Sequence, residues 1–146
     1  MEEHQHYMQR AIALAQEGKS HPDGGAFGAV IVRDGHVIAA VHNWVKGSKD
    51  CTQHAELKAI QKACQVLESQ DLSDCILYTS CEPCLMCLGA CHWAKFKQIF
   101  FGASAQDAKE HGYIYSKVFY DSDTDERNQE FKMQQLLRDE AVAVWK

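Results

Sequence analysis

Two short motifs carry the residues best suited to hold and use a metal ion: His54-Ala55-Glu56 and Pro83-Cys84-Leu85-Met86-Cys87. Cys84 and Cys87 are three apart, so in the first turn of a helix they share one face, where the positive end of the helix dipole favours thiolates. Two thiolates and the imidazole of His54 form a ligand set that zinc accepts in tetrahedral geometry, and three protein ligands leave one position for water. The thiolates also neutralise the ion, which frees Glu56 to act as an acid or base. Glu56 stands two residues from His54, a spacing that turns side chains of an ideal helix to nearly opposite sides. Glu56 therefore reads as a neighbour of the water rather than a fourth ligand. This requires the chain to bend at the helix start so that both residues reach one cavity.

A closed structural site is the competing arrangement. Cys81, Cys84 and Cys87 follow one another at equal spacing, and His54 can complete a Cys3His set around zinc. Cys81 precedes Pro83, however, and reads as part of a strand-to-helix loop, off the face shared by the other two. The expectation is an open site without Cys81. Cys51, Cys64, Cys75 and Cys91 read as small core or loop residues.

The elements that must position these motifs are legible from periodicity. Tyr7, Met8, Ala11, Ile12, Leu14 and Ala15 mark one face of a first helix, which Gly18 is suited to end in a left-handed cap. The apolar runs 26–32 and 37–41 flank Asp34-Gly35 and read as a hairpin. Leu57, Ile60, Cys64 and Leu67 predict a second helix that starts close to His54. A short strand over 75–80 leads through Pro83 into a helix over about 84–94, followed by a fourth strand over 98–101. Helices alternating with short apolar strands predict a three-layer α/β/α sandwich whose mixed sheet is mostly parallel, with the hairpin as its antiparallel part. Met133, Leu137, Ala141 and Val144 predict a C-terminal helix.

The chain has 146 residues, 46% of them hydrophobic, which suits one domain over 1–146 with a sizeable core. It contains no unbroken apolar run of the roughly 18 residues needed to cross a bilayer. Glu2 and Glu3 open it in place of the basic start of a secretory signal, so the expected location is the cytoplasm, where seven cysteines stay free of disulfides. Fifteen basic and twenty acidic side chains give a net charge of -5, with acids gathered over 121–130. That balance argues against nucleic acid as a partner, because phosphate binding draws on clustered Lys and Arg.

The two motifs match the H-x-E and P-C-x-x-C pattern of zinc nucleobase deaminases. The chain as a whole resembles the zinc-dependent cytidine/deoxycytidylate deaminase superfamily. Gly24-Gly25-Ala26-Phe27-Gly28-Ala29-Val30, His54-Ala55-Glu56 and Tyr78-Thr79-Ser80-Cys81-Glu82-Pro83-Cys84 are similar to its bacterial guanine deaminase branch, from the first helix to about Gly102. The resemblance implies a cytidine deaminase-like fold and one zinc per subunit with a bound water. It implies hydrolytic deamination of a free nucleobase, foremost guanine to xanthine and ammonia, with Glu56 moving the protons. Phe27 and Trp93 would flank the planar ring, and Asn43, at a strand end, would read a polar edge with its amide. It further implies a homodimer to which the C-terminal segment 113–146 contributes contacts.

Two departures stand out. Tyr113-Ile114-Tyr115-Ser116 holds no acidic residue where the branch usually carries one, and the sequence stops just after Trp145 where the branch has a longer tail, leaving Tyr113 and Tyr115 as alternative lid residues. A tRNA adenosine deaminase shares the zinc motifs but needs a basic surface. Cytosine, a nucleoside or another aminated heterocycle are further substrate readings. A zinc-stabilised interaction domain without catalysis would be told apart by its failure to release ammonia.

Overall fold

Asp34 and Gly35 both take positive φ, 50° and 76°, as a tight hairpin turn of the mirror-image type requires, and join β1 (Gly25–Arg33) to β2 (His36–Asn43). This hairpin belongs to a computed structural model that describes residues 1–146. It follows α1 (Glu2–Ser20) and leads through a single turn, α2 (Val45–Ser48), to α3 (Ala55–Leu67), β3 (Ile76–Cys81), α4 (Leu85–Ala94) and β4 (Gln98–Ala103). Beyond lie α5 (Ala105–Glu110), α6 (Lys117–Asp121), α7 (Thr124–Glu130), β5 (Met133–Gln135) and α8 (Arg138–Ala143).

The five strands form one mixed sheet in the order β2-β1-β3-β4-β5. β1 is antiparallel to both β2 and β3, whereas β4 is parallel to β3 and to β5. Parallel pairing is thus confined to half of the sheet, less than the expected majority. The reason is topological. The crossover through α3 makes β3 run the same way as β2, but it carries the chain past β1, so β3 lands beside a strand of opposite direction.

Alternation along the strands sorts side chains into two apolar layers. Ala29, Ile31, Leu77, Ile99 and Phe101 pack with Ala55, Ala59, Ala63, Leu88 and Cys91 of α3 and α4. Val30, Val32, Tyr78 and Phe100 point the other way, onto Tyr7, Met8 and Ala11 of α1. The three-layer α/β/α sandwich is therefore present, with α3 and α4 held on one face by small residues that permit close approach.

Local differences from expectation have local causes. Gly18 does not end α1, which continues to Ser20; a Cβ on Gly18 would lie 2.2 Å from the carbonyl oxygen of Gly25, so glycine is needed there for close packing. The C-terminal helix is shorter than predicted. Met133–Gln135 instead pairs with β4, and Leu137, at φ 57°, turns the chain into α8. The open edge of β4 supplies backbone partners that a helix over this stretch would leave unused: Ile99 N donates to Lys132 O and Leu136 N to Phe101 O. No helix is long and apolar enough to cross a membrane.

Candidate active site

The two motifs meet because each begins a helix under the same sheet face. His54 is the N-cap of α3 with extended backbone, φ -64° and ψ 154°, and Glu56 lies in the first helical turn. That is the bend the spacing required. Cys84 is the N-cap of α4, also extended at φ -73° and ψ 179°, with Cys87 in its first turn. The His54 side chain makes no cap hydrogen bond to α3 and turns instead to the thiols of α4. His54 Nδ1 is 3.6 Å from Cys84 Sγ and 3.5 Å from Cys87 Sγ, and the three ligand atoms lie within 4.8 Å of one another. A tetrahedral zinc with bonds of about 2.0–2.1 Å to nitrogen and about 2.3 Å to sulfur has nitrogen–sulfur edges of roughly 3.6 Å. The donor set fits that ion.

Electrostatics separate the roles of these groups. The neighbouring Cys87, with the hydrogen bond to His54, pulls the Cys84 thiol down to about 4 against burial. The same proximity to Cys84, together with burial, pushes Cys87 up, and the Cys84 contact raises His54. Glu56 is 6% exposed, and burial followed by the charge of Cys84 pushes its carboxyl up to about 7. A carboxyl held near neutrality can take a proton and return it.

Cys81 is the last residue of β3 rather than part of the following loop. Its Sγ sits 3.1 Å from Tyr115 Oη, and it stands outside the three-ligand group. A closed Cys3His site is not what the chain builds.

The ligands open onto a cavity of about 700 Å³. Phe27 and Asn43 line it from the first hairpin, Leu85 and Met86 from α4, and 113–116 from the segment after α5. A register shift between Gly25 and Gly28 kinks β1 at this end and brings Phe27 to the cavity. Asn43 lines the cavity, and its Oδ1 accepts from Val45 N at 3.0 Å, which leaves its NH2 group as its free donor. Phe27 is held by Tyr113 and Trp145, ring centroids 4.9 and 5.6 Å away. Trp93 is not brought to this cavity: it lies eight residues along α4 from Leu85, about 12 Å at helical rise, and is 76% exposed. Leu85, Met86 and Ile114 gave no sequence signal, because an apolar side chain looks the same in sequence whether it faces a core or a cavity.

An α/β/α sandwich with two helix N-termini converging on a His-Cys-Cys zinc set, and a buried carboxyl beside it, is the architecture of a hydrolytic deaminase. Residues 1–103 match the family model of the cytidine and deoxycytidylate deaminase zinc-binding region, and the chain belongs to that family. It is 52% identical over 120 residues to guanine deaminase of Bacillus subtilis, spanning 82% of this chain and 77% of the relative. It is 40% identical over 106 residues to the tRNA-specific adenosine deaminase of Aquifex aeolicus, spanning 72% of this chain and 68% of that one. The solved guanine deaminase of Nitrosomonas europaea is similar in structure, with a TM-score of 0.83 at 28% identity over 95% of this chain and 80% of its own. The chain is thus a zinc-dependent deaminase.

Proposed function

We propose that this enzyme converts guanine and water to xanthine and ammonia. The observation that carries the reading is Glu56, a buried carboxyl raised toward neutrality and set beside a three-ligand zinc site at the base of an apolar cavity. Half-identity to a guanine deaminase over most of the chain supports the choice of base. His54, Cys84 and Cys87 would hold the zinc, which when bound supplies Lewis acidity that makes water a nucleophile near neutral pH. Glu56 accepts a proton from the attacking water and delivers it to the ring nitrogen next to the amino-bearing carbon; it then takes the remaining proton of the added hydroxyl and passes it to the amine, so that the carbonyl forms as the C–N bond breaks and ammonia leaves. Phe27 packs against the flat ring, and the Asn43 NH2 group donates to an acceptor on its edge. Leu85, Met86 and Ile114 make the wall on this side apolar.

The lining of the cavity contains no Lys or Arg to meet a phosphate, which favours a free base over RNA. The enzyme works as a homodimer in the cytoplasm, with segment 113–146 contributing to the interface and the exposed Leu85, Met86, Trp93 and Ile114 supplying apolar contact area. Sedimentation across micromolar concentrations tests this, and a monomer throughout defeats it. The substrate is tested by kcat/KM for ammonia release from guanine, adenine, cytosine and guanosine under one set of conditions. Guanine ranking below any of the other three overturns the reading.

A further inference from the structure

Glu82 immediately precedes Pro83-Cys84, is 3% exposed, and has its polar groups engaged on every side. Its backbone N–H donates to Ala103 O, and its Oε1 accepts from Ala105 N at 2.9 Å. Its carbonyl accepts from the hydroxyl of Tyr115, a cavity-lining residue whose oxygen also touches Cys81 Sγ. Its Oε2 lies 3.3 Å from the guanidinium of Arg127, which reaches in from α7 and is 11% exposed. Arg127 is fixed in turn by its own contacts. Nη1 donates to Phe119 O at 3.2 Å and to Ser122 O and Oγ at 2.9 and 2.7 Å, and the guanidinium lies 4.1 Å over the Phe119 ring.

Glu82 therefore ties together three parts of the site: the loop that carries Cys84, to which it belongs, the wall around Tyr115 through its carbonyl, and the turn after α6 through its buried charge pair with Arg127. A buried ion pair adds little stability over well-packed apolar residues, but it admits only one geometry. The planar fork of Arg127 meets a carboxylate, two carbonyls, two hydroxyls and a ring face at once, which a lysine cannot reproduce. We propose that Arg127 is a positioning residue of the active site, acting through Glu82 to hold the Cys84 ligand loop and the Tyr115 wall in register with each other. The proposal rests on the zinc site formed by His54, Cys84 and Cys87.

The test compares the full, zinc-loaded chain with Arg127→Met, Arg127→Lys, Glu82→Gln and Lys117→Ala by following zinc release to an excess of chelator, guanine kinetics and thermal unfolding. Arg127→Met is expected to release zinc at least tenfold faster and to raise KM more than it lowers kcat, because Glu56 is untouched. Arg127→Lys should recover part of both losses. Lys117→Ala removes an exposed pair with Asp121 in the same segment and should release zinc as the parent does. Parental zinc release and KM in Arg127→Met, even with a lower melting temperature, would reduce Arg127 to a brace for the C-terminal segment and overturn the proposal. If Arg127→Met fails to fold, Glu82→Gln decides, since glutamine keeps an acceptor for Ala105 N and removes the charge facing Arg127: tenfold faster release supports the proposal and parental release overturns it. Zinc release is read without substrate, so a failure of guanine as the substrate leaves this outcome standing and is told apart from it.

Discussion

Removing the charge of Asp107 should loosen the last helix while leaving the sheet intact. Asp107 belongs to the capping box of α5, in which its Oδ2 accepts from Ser104 N at 2.9 Å and its own N–H donates to Ser104 Oγ at 3.0 Å. The same carboxylate receives the fork of Arg138, the first residue of α8, through Nε at 3.0 Å and Nη2 at 2.7 Å. The hydrogen bonds from Arg138 hold the Asp107 carboxyl down at about 2, against an ordinary 3.8, despite burial. That gap corresponds to about 2.4 kcal/mol at roughly 1.36 kcal/mol for each pH unit. The Asp107 side chain is 8% exposed but that of Arg138 is 50% exposed. Water screens part of the interaction, so the expected contribution is about 1 to 2 kcal/mol.

The folded-state value lies below the unfolded one, so this contribution is complete above the unfolded value and disappears as the pH falls through about 2, with roughly half left near pH 3. Urea unfolding of the parent and of Asp107→Asn at pH 7, 4 and 3 measures it. Asparagine keeps an acceptor for Ser104 N, so the variant isolates the charge. The parent should be more stable by about 1 to 2 kcal/mol at pH 7, with the difference shrinking on acidification and in molar salt. A difference below about 0.3 kcal/mol at pH 7, or one that grows as the pH falls, would refute the reasoning.

Three further outcomes follow from the site. Glu56→Gln should keep one zinc per subunit by metal analysis while turnover drops at least about a hundredfold, the usual scale of a lost acid–base group; retained activity removes Glu56 from the proton path. His54→Ala, Cys84→Ala and Cys87→Ala should each lose zinc and activity together, whereas Cys81→Ser should hold zinc, because Cys81 meets Tyr115 and not the ligand group. Zinc loss from Cys81→Ser as ready as that from Cys84→Ser would revive the closed site. Trp145→Ala, which deletes the Nε1 donor to Ala26 O and the ring beside Phe27 and Tyr113, should raise the KM for guanine several-fold with a smaller change in kcat; an unchanged KM would show that this corner does not shape the cavity.

His54, Glu56, Cys84 and Cys87 were legible in the sequence because metal ligation demands particular atom types, and those types occur here at spacings that helix starts bring together. The hairpin at Asp34-Gly35 was legible for a similarly local reason, since positive φ selects few residues. Tertiary structure alone decided what depends on distant partners. Met133 and Leu137 carry a spacing that suits a helix, yet the open edge of β4 drew Met133–Gln135 into the sheet, an outcome set by backbone groups with no side-chain signature. Gly18 resembles a helix stop in sequence but serves a close contact with Gly25, seven residues away in the chain. The cavity wall at 113–116 and its tie through Tyr115, Glu82 and Arg127 join residues up to 45 apart, and no periodicity encodes a buried ion pair between a loop and a helix. Trp93 shows the converse: a resemblance named it for the ring, and the rise of α4 carried it about 12 Å along the helix from Leu85, out to solvent. Sequence specifies which atoms can do the chemistry, whereas the wall around them is set by which elements happen to pack side by side.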